Sequence, residues 1–173
     1  LASIQLIRSQ NVGPKTFFQL MKVYGSAAKS MRALPDLAKR GGAKKFTACS
    51  KAEAEKELAA CTKLGGHIIT FYDEAYPPQL KHIADPPPII SVLGDASLLL
   101  KESIGMVGAR NTSVNGGRLA AKFAKELGEA GYVIASGLAR GIDTSAHQGS
   151  LKTGTIAVIA GGIDIIYPKE NTE

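Results

Sequence analysis

Three loops rich in Gly, Ser, Asn and Arg carry the residues best suited to hold an anion. They are Gly108-Ala109-Arg110-Asn111-Thr112-Ser113, Ser136-Gly137-Leu138-Ala139-Arg140-Gly141-Ile142-Asp143, and Gly161-Gly162-Ile163-Asp164. In the first, Gly108 lets backbone approach a ligand closely, Arg110 offers a planar donor fork to phosphate, and Thr112 or Ser113 can cap a helix whose free N–H groups attract an anion. In the second, Ser136 and Gly137 lead to Arg140 and Gly141; two glycines four apart around an arginine can present successive N–H groups to one anion. In the third, Gly161 allows a ligand close to the sheet edge, and the chain runs on to Tyr167, Pro168 and Asn171. Phosphate is the simplest ligand for this chemistry.

Two nearby features admit more than one reading. Asp143 and His147 stand one helical turn apart, as an acid/base pair could; the plainer expectation is that Asp143 is an N-cap and His147 a packed helix residue. Tyr167 could stack on a base; the plainer expectation is a packed core tyrosine. Gly105-Met106-Val107-Gly108-Ala109-Arg110 is not GxGxxG, and Ser136-Gly137 stands where a dinucleotide site needs an acid, so NAD and FAD are not expected. The chain also lacks GxxxxGK[ST], GxSxG and any His/Cys/carboxylate metal spacing. What remains is an anion cradle without a nucleophile.

The elements that must position these loops are short apolar runs, Ile104–Val107, Tyr132–Ala135 and Thr155–Ala160, each ending in a loop. Helical patterns follow the first two, one reaching about Glu129 through Leu119, Ala120, Phe123, Ala124 and Leu127, the other spanning Thr144–Lys152. This cadence predicts a Rossmann-like α/β fold with a parallel, doubly wound sheet, whose ligands sit at the carboxyl ends of the strands. The three loops should then share one rim.

Residues 1–64 read as a small helical domain. Leu1, Ile4, Leu6 and Ile7 form one amphipathic set, Asn11-Val12-Gly13-Pro14 breaks it, and Phe17, Phe18, Leu20, Met21 and Tyr24 resume it before Gly25. The Asn11–Lys15 break is a tight turn between helices, or a hairpin that caps a DNA phosphate as in helix-hairpin-helix proteins. A second hairpin is expected with Pro35–Arg40 closed by Gly41-Gly42. Lys51–Leu64 reads as a helix with Leu58, Cys61, Thr62 and Leu64 toward one face, stopping at Gly65-Gly66, where the domain boundary is placed. His67–Phe71 and Ile89–Leu93 read as strands joined by a connector with prolines at 77, 78, 86, 87 and 88.

With 45% hydrophobic and 21% charged residues the chain has the composition of a soluble globular protein, and no apolar run reaches the roughly 18 residues of a membrane span. Leu1 in place of Met suggests a trimmed beginning. Cys49 and Cys61 lack ligand spacing and read as plain thiols of a reducing compartment. Residues 1–88 hold 13 Lys+Arg against 7 Asp+Glu, a net of +6, while residues 89–173 hold 8 of each. A polyanion beside the first half and a solvated basic face are equally compatible with that asymmetry.

The runs GARNTS, SGLARGIDTSAHQGSL and GTIAVIAGGIDIIYPKEN, with YPPQLKHIADPPPIISVLGD upstream, resemble the DNA-processing protein A (DprA/Smf) family over nearly the whole chain. The helical residues 1–64 resemble its sterile-alpha-motif-like domain, and 65–173 the first part of its Rossmann-like core. The resemblance implies a bacterial cytoplasmic recombination mediator that binds single-stranded DNA entering during natural transformation, protects it and assists loading of the RecA recombinase, without catalysis, metal or cofactor. It carries a G-x-R signature onto Gly108-Ala109-Arg110, with Arg110 on a phosphate, and a second glycine loop onto Ser136-Gly137 through Gly141 and Asp143. Joined with the reading of the loops, the expected DNA contacts are Gly108, Arg110, Thr112, Ser113, Ser136, Gly137, Arg140, Gly141, Gly161 and Asn171, with Asp143 as a structural cap. Arg140 varies within the family. Members continue past Asn171, with further strands, a homodimer contact and often a winged helix. Two rivals are a nucleotide-hydrolysing phosphoribohydrolase-like enzyme, whose PGGxGTxxE loop is missing, and a protein-interaction module that binds little DNA.

Overall fold

The computed structural model describes residues 1–41 and 45–172. The chain packs as two compact units, Leu1–Gly94 and Asp95–Glu173. The first opens with four helices, α1 (Ala2–Arg8), α2 (Pro14–Tyr24), α3 (Ala27–Arg40) and α4 (Lys51–Lys63). Pro14 starts α2, where its fixed φ suits the first turn and its missing N–H costs no helical bond; Gly25 ends it at φ +75°, donating to Met21 O. Leu6, Phe17, Leu20 and Leu34 form the centre of this helical core.

Two expectations for these helices are corrected. Pro35 does not begin a separate element: it lies inside α3, a single 14-residue helix entered through Ser26, whose hydroxyl accepts from Lys29 N–H at 3.3 Å. An interior proline costs about 3 kcal/mol, and burial of Leu34 with packing of Leu37 against the same core offsets it. Gly42 lies outside the described residues. In α4, a capping box joins Ser50 and Glu53 as their spacing favours, with Glu53 N–H donating to Ser50 Oγ at 3.1 Å and Ser50 N–H to Glu53 Oε2 at 2.7 Å. The inward face of α4, however, is Ala54 and Cys61, whereas Leu58 and Leu64 are 37% and 45% exposed. Both cysteines are buried and free, and burial pushes both thiols above their ordinary pKa.

Strands β1 (His67–Thr70) and β2 (Ile89–Val92) pair antiparallel, with Thr70 opposite Ile89. The proline-rich connector between them is fastened by buried Tyr76, whose hydroxyl donates to Pro87 O at 2.8 Å. Ile89 joins Ile4, Cys49 and Ala54 in one cluster. The strand pair therefore packs with the helices, and the division between packed units falls after Gly94, beyond Leu64–Gly66.

The second unit is β3 (Ser103–Gly105), α5 (Val114–Glu129), β4 (Val133–Ser136), α6 (Ile142–Ser150) and β5 (Thr155–Ala157), with the strands parallel in the order β3-β4-β5. Helices α5 and α6 pack against each other and against β4. That contact is made of small residues: Ala124 and Ala146 bury fully with Ile134, and a Cβ on Gly149 would run into the carbonyl of Ala121. The buried line of α5 is Ala120, Ala124 and Gly128, and Leu119 and Phe123 are half exposed. Among the described residues no helix is long and apolar enough to cross a membrane, and no group of three or more His, Cys, Asp or Glu could hold a metal.

Candidate functional site

β3 and β5 stop before their apolar runs do, whereas β4 ends one residue past its run. Met106 N–H donates to Ala135 O at 2.9 Å and Val158 N–H to Ser136 O at 2.8 Å, after which the chains leave the ladder. The first two loops then meet backbone to backbone. Gly141 takes φ +80°, and a Cβ there would stand 2.6 Å from Arg110 O and closer still to Ala109 O. Ile142 N–H donates to Ala109 O at 3.2 Å. At Gly108 a Cβ would lie 2.6 Å from Ile142 Cγ1. The absence of a side chain at Gly108 thus makes room for Ile142 at the start of α6. The main chain of Arg110 is held by the start of α6, while its side chain is exposed and joins no ion pair among the described residues.

Asp143 is a cap of a different kind from the one its position suggests. Gly141 is the N-cap of α6, and Asp143, in the first turn and 5% exposed, turns back so that Oδ2 accepts from Gly137 N–H at 3.2 Å and Ala139 N–H at 3.3 Å. Two of the loop amides that could cradle a phosphate are occupied by the protein's own carboxylate. Ser136 is also turned inward, 4% exposed, its hydroxyl donating to Met106 O at 2.6 Å. Ser136 and Gly137 therefore shape the loop from within.

The third segment closes over the second. Asn171 Nδ2 donates to Leu138 O at 3.0 Å and to Thr144 Oγ1 at 2.8 Å, and the Thr144 hydroxyl donates to Ala139 O at 2.8 Å. Asn171 so braces Leu138, which holds the left-handed φ of 59° that a leucine rarely adopts. Arg140 pairs with Glu170 at 3.3 Å, both side chains well exposed. A surface pair of this kind contributes about 1 kcal/mol or less, so an incoming phosphate can compete for Arg140. At the first loop it is Ser113 that caps α5, accepting from Gly116 N–H at 3.1 Å, with Thr112 beside it; one capped donor leaves others of that first turn for an anion. The structure brings Arg110, Arg140, Gly141 and Asn171 together, whereas no hydrogen bond among the described residues ties Gly161 to them. A Cβ on Gly161 would meet nothing within 4 Å, so the space before it is open.

Tyr167 is 72% exposed, which corrects the expectation of a core tyrosine, and Val107 and Val158, just past the strand ends, are 82% and 65% exposed. An exposed tyrosine ring offers a face for base stacking. Two shallow grooves lie in the first unit, one lined by Lys15, Phe18 and Lys22, the other by Leu58, Thr62 and His67.

His147 lies inside the fold, 7% exposed, with Nδ1 2.7 Å from Thr155 Oγ1, whose proton goes to Ile134 O at 3.0 Å. That order makes Nδ1–H the donor, and leaves Nε2 without a partner among the described residues. Burial holds its pKa below the ordinary value, opposed in part by the charge of Asp143. The ring is buried and held by Thr155. Sequence reasoning missed Thr144 and the glycines that face side chains or backbone across elements; their signal was glycine recurring inside helical stretches, at 116, 128 and 149.

Residues 67–173 match the family described as DNA recombination-mediator protein A, and residues 1–60 match the DprA-like N-terminal HHH domain. The DNA processing protein DprA of Bacillus subtilis is 44% identical over 119 residues, covering 67% of this chain and 40% of that protein. DprA of Streptococcus pneumoniae is 43% identical over 101 residues, covering 57% and 36%. The X-ray structure of the S. pneumoniae protein superposes with a TM-score of 0.63 at 32% identity, covering 85% of this chain and 46% of that one. DNA processing protein A of Helicobacter pylori, solved to describe its single-stranded DNA binding mode, gives 0.53 at 28% identity, covering 61% and 47%. The chain spans less than half the length of each of these relatives.

Proposed function

Because the chain belongs to the DNA recombination-mediator protein A family, we propose that its rim binds single-stranded DNA through the phosphate backbone. The observation that carries this reading is Arg110: an exposed guanidinium on a main chain locked by Gly141 and Ile142, next to Arg140 and the asparagine clamp. Of the residues picked out by sequence, Arg110, Arg140 and the α5 start with Thr112 and Ser113 face the strand. Gly108, Ser136, Gly137, Gly141, Asp143 and Asn171 hold them in place. Gly161 and Tyr167 extend the rim on its open side. No turnover is part of this proposal, since the one acid and imidazole at helical spacing, Asp143 and His147, are both internal. The biological role that fits is a cytoplasmic recombination mediator that shields incoming DNA in natural transformation and, as a homodimer in its full length, assists RecA loading.

Arg110→Ala tests the reading. Loss of a charge-assisted phosphate contact should cost about 1.5–3 kcal/mol of binding and lower the slope of log affinity against log salt by about 0.7, with melting temperature unchanged. Oligo-dT titrations at several salt concentrations measure both, and unaltered affinity would remove Arg110 from the site.

A further inference from the structure

The first unit carries all of the chain's net positive charge, 13 Lys+Arg against 7 Asp+Glu over residues 1–94, yet the rim belongs to the second. Part of that charge is ordered around aromatic rings. Lys15, Phe18 and Lys22 fall at i, i+3 and i+7 of α2, so they share one face, and that face lines a groove closed on its other side by Asp85 and Pro86. From Phe18 the rings continue: Phe18 meets Phe71 edge to face at 4.7 Å between centroids, and Phe71 meets Tyr72 at 5.3 Å. Lys81 Nζ lies 5.5 Å from the centre of the Phe71 ring. Tyr72 ends the row and is 56% exposed. Core packing alone would bury the terminal ring and would not border the row with three exposed lysines.

We propose that the row Phe18–Phe71–Tyr72, bordered by Lys15, Lys22 and Lys81, is a second contact surface for single-stranded nucleic acid, separate from the rim. Tyr72 offers the stacking face, and the lysines offer point charges to phosphates on either side, the combination that binds a single strand with little regard to sequence. Asp85 supports the assignment. It stands 3.7 Å from Lys15 with both side chains largely exposed, a loose pairing that a phosphate can replace. A flat aromatic end fits a base better than it fits an acidic peptide, which needs the cations alone.

The test uses the whole chain and an oligo-dT carrying 5-iodouracil, photo-crosslinked and mapped by mass spectrometry, with anisotropy titrations of Tyr72→Ala and of Lys15→Ala/Lys22→Ala/Lys81→Ala. Each variant is also made in an Arg110→Ala/Arg140→Ala background. A crosslinked peptide containing Tyr72, still present in that background, is expected. Tyr72→Ala should weaken binding at least about fivefold, and the triple lysine variant should flatten the salt slope by about 2, with melting curves like those of the parent. Crosslinks confined to the rim, with all four lysine and tyrosine positions replaceable without effect, overturn the proposal and leave the rim reading intact. Crosslinks confined to residues 1–94 do the reverse. Loss of affinity in the lysine variant with none in Tyr72→Ala, matched by equal binding of polyglutamate, also overturns it, since the surface would then be an unselective cationic face.

Discussion

At the scale of single residues, Asp143 decides more about the rim than any exposed group. Its carboxylate takes the two loop N–H groups that a phosphate would otherwise find, so the loop keeps its shape without a ligand. Asp143→Ala removes the partner of Gly137 and Ala139 N–H. Two part-buried hydrogen bonds at about 0.5–1.5 kcal/mol net each make the expected loss in urea denaturation about 1–3 kcal/mol, with Arg110 still in the chain but binding weakened. His147 gives a pH-dependent counterpart. Its folded pKa is depressed by burial, so the unfolded chain takes up a proton where the folded chain does not. The contribution is complete above the ordinary value of 6.5 and declines as pH falls through and below it. Urea midpoints measured at about pH 7.5 and 5.5 should therefore fall less in His147→Gln than in the parent. An equal fall in both proteins would show that other groups set the acid sensitivity.

At the scale of elements, the α5–α6 contact is the part of the fold most easily broken by a small change. A methyl on Gly149 meets main chain at Ala121 and not a side chain that could swing away. Overpacking of this sort costs about 1–3 kcal/mol, and because α6 carries Gly141 and Ile142 at its start, Gly149→Ala should lower both the melting temperature and oligonucleotide affinity. A stable variant with unchanged binding would mean that α6 can shift without moving Arg110. The helices, the parallel strands and the three loops were legible in the sequence because apolar runs, Ser or Pro starts and glycine stops mark them locally. The fate of Pro35 was not, since Leu34 and Leu37 override the local break only through packing against distant Phe17 and Leu20. The inward turn of Ser136, the Asp143 cap and the exposure of Tyr167 were hidden for the same reason: each depends on which loop comes to lie beside which.

At the scale of the whole molecule, charge and site are separated. The second unit has no net charge, with 7 Lys+Arg beyond Lys101 and the α5 pairs Lys122–Glu126 and Lys125–Glu129 neutralised along one helix. Rim binding must then rest on few phosphates and on stacking. With Lys15, Lys22 and Lys81 replaced by alanine, the remaining salt slope should be about 1.4, the value for Arg110 and Arg140 alone; a much steeper slope would require cations that the rim does not have. If the rim is where the strand binds, amide chemical-shift mapping of the labelled chain during an oligo-dT titration locates it there. Saturable shifts are expected at Ala109–Val114, Leu138–Gly141 and Gly161–Tyr167, strongly reduced in Arg110→Ala. Shifts that leave all three of these segments unmoved while the oligonucleotide binds would contradict that location.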